Sequence, residues 1–203
     1  MKIKGIFASF LFCLSTFASA NDAQDLKDIL FGVNDYKGSF IQEIKAKDNQ
    51  VLQTNEGEMT LLRPNNFKLE VKSPDESIIV ADGTSVYYFD AMLEQVTIYP
   101  FQRELNSSPL ILLVAKDDAT WNNYEVSKIS ENEFKITPKN TSSLIAQILI
   151  KCSKENGITS LSFKEKDGKE NSYTFKKEES TQKITPSDFK YVIPQGVEID
   201  DQR

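Results

Sequence analysis

Apolar and polar residues alternate along most of the chain, a period of two that is typical of strands with one buried and one exposed face. The segment 66–73 shows this most clearly, because Phe67, Leu69 and Val71 alternate with lysine and glutamate. Three Asn-Gly or Asp-Gly pairs separate β-rich segments and are strong signals for tight hairpins. They are Asp82-Gly83, Asn156-Gly157 and Asp167-Gly168. The pattern predicts an antiparallel meander of about ten or eleven strands.

Two segments break the alternation and predict helices. From Asp22 to Val33, apolar residues recur at the spacing of one helical face, and Asp22 is placed to cap the first turn. In the middle of the chain, Ser108 is a candidate N-cap and Pro109 fits the first helical position. The residues 110–115 that follow are apolar on every side. This is typical of a helix that is buried or that covers an apolar surface.

A sheet of this size curls, so its inner face has to be covered or filled. Large apolar side chains are available for that face: Phe40, Leu61, Phe67, Leu69, Ile79, Tyr87, Phe89, Val96, Phe134, Phe163 and Phe175. The two predicted helices are short, so they offer limited cover. Two interpretations therefore stay open at this point. One is an ordinary packed core, which the alternation alone favours, and the other is an apolar cavity beneath the helices.

The first twenty residues have the organisation of a secretory signal peptide. A basic start with two lysines is followed by an apolar or small stretch over 5–17 and by the small-x-small cleavage site Ala18-Ser19-Ala20. The stretch is too short and wrongly flanked for a membrane-spanning helix. We therefore predict a cleaved signal peptide over 1–20 and an exported domain over 21–203.

Composition removes several classes of function. The 203 residues carry 24 basic and 30 acidic side chains and a formal charge of −6, whereas nucleic-acid binders have a basic excess. Histidine is absent, which excludes histidine-dependent catalysis and histidine metal ligands. Only Cys152 lies outside the predicted signal peptide, so neither a disulfide nor a cysteine-rich metal site is expected. No catalytic, phosphate-binding or metal-binding motif is present in the sequence. We predict a protein that is not an enzyme, with no catalytic residues, no metal and no cofactor.

One arginine has unusual neighbours in the sequence. Arg63 follows Leu61 and Leu62, and it precedes Pro64, which removes a backbone donor from the sheet. A guanidinium placed among apolar residues has to find acceptors, because burying it unpaired is costly. The alternative, which the pattern alone favours, is a surface arginine whose aliphatic stem lies along the sheet.

Motifs across nearly the whole predicted mature chain resemble one family. LLRPNNFKLEV, SPDESIIVADGTSVYYFD, LEQVT, SSPLILLVA and PQGVEIDDQR follow one another as in the periplasmic outer-membrane lipoprotein carriers, LolA. The resemblance runs from about residue 22 to residue 203. It implies a mainly β fold, an unclosed antiparallel β-barrel with an α-helical lid over a hydrophobic cavity.

The resemblance also implies a role. The family consists of periplasmic chaperones of Gram-negative bacteria that bind the acyl chains of lipoproteins. They receive this acylated cargo from an inner-membrane lipoprotein-releasing ABC transporter and deliver it to the outer-membrane receptor LolB. We accordingly expect a periplasmic monomer whose partners include no nucleic acid.

The resemblance also assigns roles to individual residues, each by its position within a matching motif. Arg63 corresponds to an arginine that latches the lid through hydrogen bonds to lid carbonyls, and the matching acceptors are Leu30, Leu113 and Val114. The resemblance places the acyl-chain cavity along Phe67, Leu69, Val71, Ile79, Tyr87, Phe89 and Leu110. Only Phe67 is aromatic on the 67–71 strand, where some relatives have a tryptophan at the position of Leu69.

Two competing classes are less favoured. A lipid- or peptide-sensing regulatory module on a similar half-barrel usually carries an additional domain, for which this chain has no room. An exported hydrolase would need a nucleophile with its base. The lack of histidine and of a G-x-S-x-G motif disfavours that class.

Overall fold

The structure is a computed structural model that describes residues 18–105, 107–179 and 182–203. Most of the predicted signal peptide, residues 1–17, lies outside the described residues, so its cleavage stays a prediction. The described elements, in chain order, are α1 Ala18–Phe31, β1 Asp35–Lys45, β2 Val51–Leu62, β3 Asn66–Ser73, β4 Ser77–Asp82, β5 Ser85–Asp90, β6 Gln95–Pro100, α2 Phe101–Glu104, α3 Pro109–Leu112, α4 Asp118–Trp121, β7 Tyr124–Ser130, β8 Glu133–Pro138, β9 Ile145–Ser153, β10 Gly157–Glu165, β11 Glu170–Lys177, a 3-10 helix Pro186–Phe189 and β12 Glu198–Asp201.

All twelve described strands belong to one sheet, in the order β12-β6-β5-β4-β3-β2-β1-β11-β10-β9-β8-β7. Eleven of them are antiparallel, as predicted, in two meanders, β1–β6 and β7–β11, that join through β1 and β11. The short β12 pairs with β6 in parallel and forms one edge of the sheet. The hairpins predicted at Gly83, Gly157 and Gly168 form, and each glycine has the positive φ that such a turn requires. The sheet does not close on itself, because β12 and β7 are its two edges.

The helices differ in detail from the sequence prediction. Helix α1 begins at Ala18, so Asp22 lies inside it instead of capping it, and its carboxylate accepts a hydrogen bond from the Lys128 amide at 2.9 Å. The predicted central helix has helical geometry only over Pro109–Leu112, and 113–115 continue as turns. The run 110–115 is buried throughout, as its all-round apolar character predicts.

The sheet has an inner face, which contacts the helices, and an outer face. Strand pairing puts Leu69 opposite Ile79 and Ile79 opposite Tyr88, so these three side chains share the inner face. This face contributes to a single large hydrophobic core with α1 and the central segment. The outer face is covered in part by the C-terminal segment, which contacts β3 and β4 through the 3-10 helix.

Three residues expected on the inner face lie on the outer face instead. Tyr87 pairs with Ile98, and Phe89 pairs with Val96, which places all of them on the opposite side from Tyr88. An outer cluster forms there from the buried side chains Val80, Val96, Ile98 and Phe189, and the Tyr87 and Tyr191 rings lie 5.5 Å apart. The prediction of Tyr87 and Phe89 as cavity residues, and of Val96 as inward-facing, is therefore corrected. Residues 86–89 are four consecutive apolar or aromatic residues, so their sequence does not show which of them point to the inner face. Both faces of this strand are covered by apolar residues, so either orientation buries apolar side chains.

Candidate functional site

The segment 101–121, called the lid below, crosses the inner side of the sheet. It contains the three short helices α2, α3 and α4. Asp117 caps α4 by accepting a hydrogen bond from the Thr120 amide at 2.8 Å. The Trp121 indole donates to the Ala115 carbonyl at 2.7 Å, which fixes the C-terminal end of the lid against its middle.

The middle of the lid fills the space above the inner face. Leu110 is 5% exposed, and the five residues after it have no measurable exposure. Below them lie Phe67, Leu69 and Val71 of β3, all buried, and the half-buried Ile79 of β4. The inner face and the lid thus form one continuous apolar interior, in which the expected cavity residues Phe67, Leu69, Val71, Ile79 and Leu110 belong to a single packed cluster.

Arg63 links the lid to the end of the sheet. It lies directly after β2, where Pro64 turns the chain toward β3. Its Nε donates to the Leu113 carbonyl at 2.9 Å, and its Nη1 donates to the Val33 carbonyl at 2.6 Å. Arg63 is only 8% exposed, so a buried cation donates to two carbonyls from distant parts of the chain, one just after α1 and one just after α3.

Two of the residues expected to accept a hydrogen bond from Arg63 do not do so. Leu30 lies in the last turn of α1 with its side chain in the core, and Val33, past the end of that helix, provides the carbonyl beside Arg63. Val114 contributes its carbonyl to the Asn65 amide at 3.1 Å instead of to the guanidinium. Of the expected acceptors, Leu113 receives the guanidinium hydrogen bond. Leu30 and Val114 are therefore corrected as partners of Arg63.

The surroundings of Arg63 combine burial with aromatic contact. Its Cζ lies 5.7 Å from the centre of the Phe31 ring, and that ring meets Trp121 edge-on at 6.2 Å. Burial lowers the pKa of Arg63 to about 10, while the nearby Cys152 opposes the shift, and the guanidinium stays protonated at neutral pH. Burial also raises the pKa of Cys152 to about 11, so its thiol is neutral and unreactive.

A groove of about 560 Å³ opens beside the lid, at the end of the sheet opposite Arg63. It is lined by Tyr88, Glu104, Ser107, Ser108, Pro109, Asn140, Ser142, Ser143, Leu144, Ile145, Phe163 and Glu165. Tyr88, Ile145 and Phe163 also pack against the hydrophobic core, so the apolar part of the groove is continuous with the interior under the lid.

A carboxylate inside this groove is buried, and no lysine or arginine of the described residues forms an ion pair with it. Glu104 of α2 is 7% exposed, and its Oε2 accepts a hydrogen bond from the Tyr88 hydroxyl at 2.6 Å. Burial and this hydrogen bond together raise the pKa of Tyr88, so the phenol remains the donor. Sequence reasoning missed this pair, because nothing in the pattern connects a lid glutamate with a strand tyrosine.

A row of buried amides, also missed from sequence, runs across the inner face toward the groove. The Asn55 amide donates to Gln42 at 2.8 Å, and Gln42 donates to Asn171 at 3.2 Å. Asn171 in turn lies 3.4 Å from the Glu165 carboxylate and donates to it. The inner face is therefore apolar toward Arg63 and polar toward the opposite end.

Within the described ranges, no group of three or more histidine, cysteine, aspartate or glutamate side chains is placed to hold a metal ion. None of the helices in that part of the chain has both the length and the apolar character needed to cross a membrane.

Comparisons with known proteins agree on one family. The family profile described as "Outer membrane lipoprotein carrier protein LolA" matches residues 32–192. A protein named outer-membrane lipoprotein carrier protein from Serratia proteamaculans (strain 568) is 36% identical over 194 residues, which cover 94% of this chain and 95% of the relative. A protein of the same name from Shewanella halifaxensis (strain HAW-EB4) is 35% identical over 205 residues, which cover 99% and 98%.

One solved structure supports the fold. It is described as an uncharacterized conserved protein from Thermus thermophilus, and it superposes with a TM-score of 0.52 over 90% of this chain and 99% of its own. The two sequences are 12% identical, so this similarity concerns the fold alone.

Proposed function

Because the chain belongs to the outer-membrane lipoprotein carrier family, LolA, whose members are carriers and not enzymes, we propose that it shelters lipoprotein acyl chains between the inner face of its sheet and its lid. The observation that carries the mechanism is the position of Arg63. Its two hydrogen bonds hold the apolar residues 110–115 of the lid over an apolar face. In this proposal, the lid position that Arg63 holds is the closed state of the carrier.

Loading requires the lid to move. The lid side chains fill the interior, so an acyl chain enters only by displacing them, and the hydrogen bonds of Arg63 must break. Burial of each methylene contributes about 0.8 kcal/mol. About ten buried methylenes would give about 8 kcal/mol, which corresponds to micromolar binding.

Release is favoured by the same latch. A hydrogen bond from a charged donor contributes about 1.5–3 kcal/mol, and both Arg63 bonds re-form when the lid closes over an empty interior. The closed state therefore lowers the apparent affinity for cargo, as any competing unliganded state does. This keeps binding weak enough for delivery without nucleotide or covalent chemistry in the carrier itself.

Family membership also suggests a cellular location and binding partners. We assign the protein to the periplasm of a Gram-negative bacterium, where the predicted signal peptide would deliver it. Its cargo would come from an inner-membrane lipoprotein-releasing ABC transporter, which supplies the energy for loading. The receiving partner would be the outer-membrane receptor LolB.

Transfer of a labelled lipoprotein to the receptor tests this proposal. In the Arg63→Leu variant the lid opens more easily, so the variant should load cargo at least as well as the wild type. It should deliver cargo poorly, because closure no longer drives release. Wild-type transfer efficiency in Arg63→Leu would refute the latch, and failure of the wild type to bind any acylated lipoprotein would refute the function.

A further inference from the structure

The groove beside the lid has the position of an entrance to the interior. On one side it is bounded by the lid residues Glu104 and Pro109, and on the other by the β8–β9 turn and β10. Its apolar residues join the core under the lid, whereas its outer rim carries serine hydroxyls and the Asn140 amide. A molecule with an apolar tail and a polar head matches this division.

The charges of the groove have one sign. Glu104 and Glu165 are both among its lining residues, and the described residues that line it include neither lysine nor arginine. Two basic side chains are neighbours of groove residues in the sequence: Arg103 stacks on the Tyr99 ring at 4.3 Å, and Lys166 donates to the Thr141 carbonyl at the rim, between Asn140 and Ser142. An anionic head placed in the groove would therefore face the two carboxylates that line it, while the Lys166 ammonium is held at the rim by the Thr141 carbonyl.

We propose that acyl chains enter the interior through this groove, and that Glu104 and Glu165 act as a charge filter that favours lipoproteins over anionic phospholipids. The inference rests on the proposed function. Lipoproteins and phospholipids both present paired acyl chains, so the apolar interior alone distinguishes them poorly. The head groups differ, since a phosphodiester is an anion, whereas an acylated peptide terminus offers amide N–H donors that carboxylates accept.

The position of Glu104 strengthens the filter. It is nearly buried and held by the Tyr88 hydroxyl, so it stays fixed where solvent screens its charge weakly. Glu165 lies on the half-buried rim and is held by the Asn171 amide. Repulsion between unit charges at about 5 Å near a protein surface is large enough for a preference of tenfold or more.

Dye displacement from the purified protein tests the filter. A polarity-sensitive dye bound in the interior is displaced by a synthetic diacylated lipopeptide with an uncharged peptide, or by phosphatidylglycerol with the same acyl chains. The wild type should prefer the lipopeptide at least tenfold. Glu104→Gln and Glu165→Gln should each reduce this preference about threefold or more.

Controls separate the filter from folding and from the proposed function. Glu104→Gln keeps an acceptor for the Tyr88 hydroxyl. If this variant does not fold, Glu165→Gln, whose side chain lies at the rim of the groove, tests the filter instead. Glu155→Gln removes an equal charge from an exposed turn at the opposite end of the sheet and should leave the preference unchanged. An equal response to both lipids in the wild type, or an unchanged preference in the folded glutamine variants, would overturn the filter alone. Failure of both lipids to displace the dye would overturn the proposed function, and the filter with it.

Discussion

Loss of the Arg63 side chain should shift the lid toward its open state by an amount that follows from two hydrogen bonds. Arg63→Leu removes the Nε–Leu113 bond of 2.9 Å and the Nη1–Val33 bond of 2.6 Å. At about 1.5–3 kcal/mol for each charged donor, the closed state loses about 3–6 kcal/mol. Leucine recovers part of this loss through its own burial, so we expect a net loss of at least about 2–3 kcal/mol. This corresponds to an increase of about 30- to 150-fold in the open-to-closed ratio.

Thiol labelling of Cys152 measures this ratio. The predicted mature chain has no other cysteine, and the thiol is buried close enough to Arg63 for each group to influence the pKa of the other. When the closed form does not react, the labelling rate is proportional to the open population. Arg63→Leu should therefore accelerate labelling by about 30- to 150-fold under conditions where the fold is intact.

A second readout and two controls complete the design. Trp121, the single tryptophan, is 4% exposed and donates to Ala115 of the lid, so acrylamide should quench its fluorescence more strongly in the variant. Arg63→Lys keeps the charge but lacks the planar fork that reaches two carbonyls, so its labelling rate should be intermediate. Arg203→Leu removes an exposed arginine and should change neither signal. Wild-type labelling and quenching in folded Arg63→Leu would refute the latch energetics.

Three further outcomes follow from burial and packing. At pH 8 the thiol of the folded wild type should react with thiol reagents at least about a hundredfold more slowly than the thiol of the urea-unfolded chain. The reason is that burial raises the pKa of Cys152 from 9.0 to about 11. Equal rates would contradict that burial. Ile79→Ser, on the inner face, should weaken binding of an apolar dye about tenfold, because apolar area is lost. Tyr87→Ser, on the outer face, should leave dye binding unchanged. Equal losses of dye affinity in a titration of both variants would contradict the assignment of faces. Gly57→Ala should lower the free energy of unfolding in urea by about 2 kcal/mol or more, because a Cβ there would lie 1.9 Å from the Glu70 carbonyl oxygen. An unchanged free energy of unfolding would show that the two strands separate easily.

Much of the fold was accessible from local patterns. The alternation at Phe67, Leu69 and Val71 predicts a strand with one buried face, and those three residues are buried. The Asp-Gly and Asn-Gly pairs predict hairpins that form, because the left-handed backbone of such turns excludes most other residues. The all-apolar run 110–115 predicts burial regardless of which partner covers it.

The site was accessible only in part. Family motifs point to Arg63 and Leu113, whose sequence separation is 50 residues, yet the second acceptor is Val33 and not Leu30. Carbonyls carry no sequence signal, since each residue has one. Which of them meets a guanidinium therefore depends on where the helix ends and how the chain leaves it.

The sequence by itself predicted the antiparallel strands, the glycine turns, the burial of residues 110–115 and the resemblance to the family. Tertiary structure decided which face each residue of 86–89 occupies, because a continuous apolar run fits either phase of a sheet that is covered on both sides. It also decided that Tyr88 meets Glu104 and that Glu165 joins the same groove. These contacts join strands and lid segments far apart in the chain, and only the curvature of the unclosed sheet brings them together.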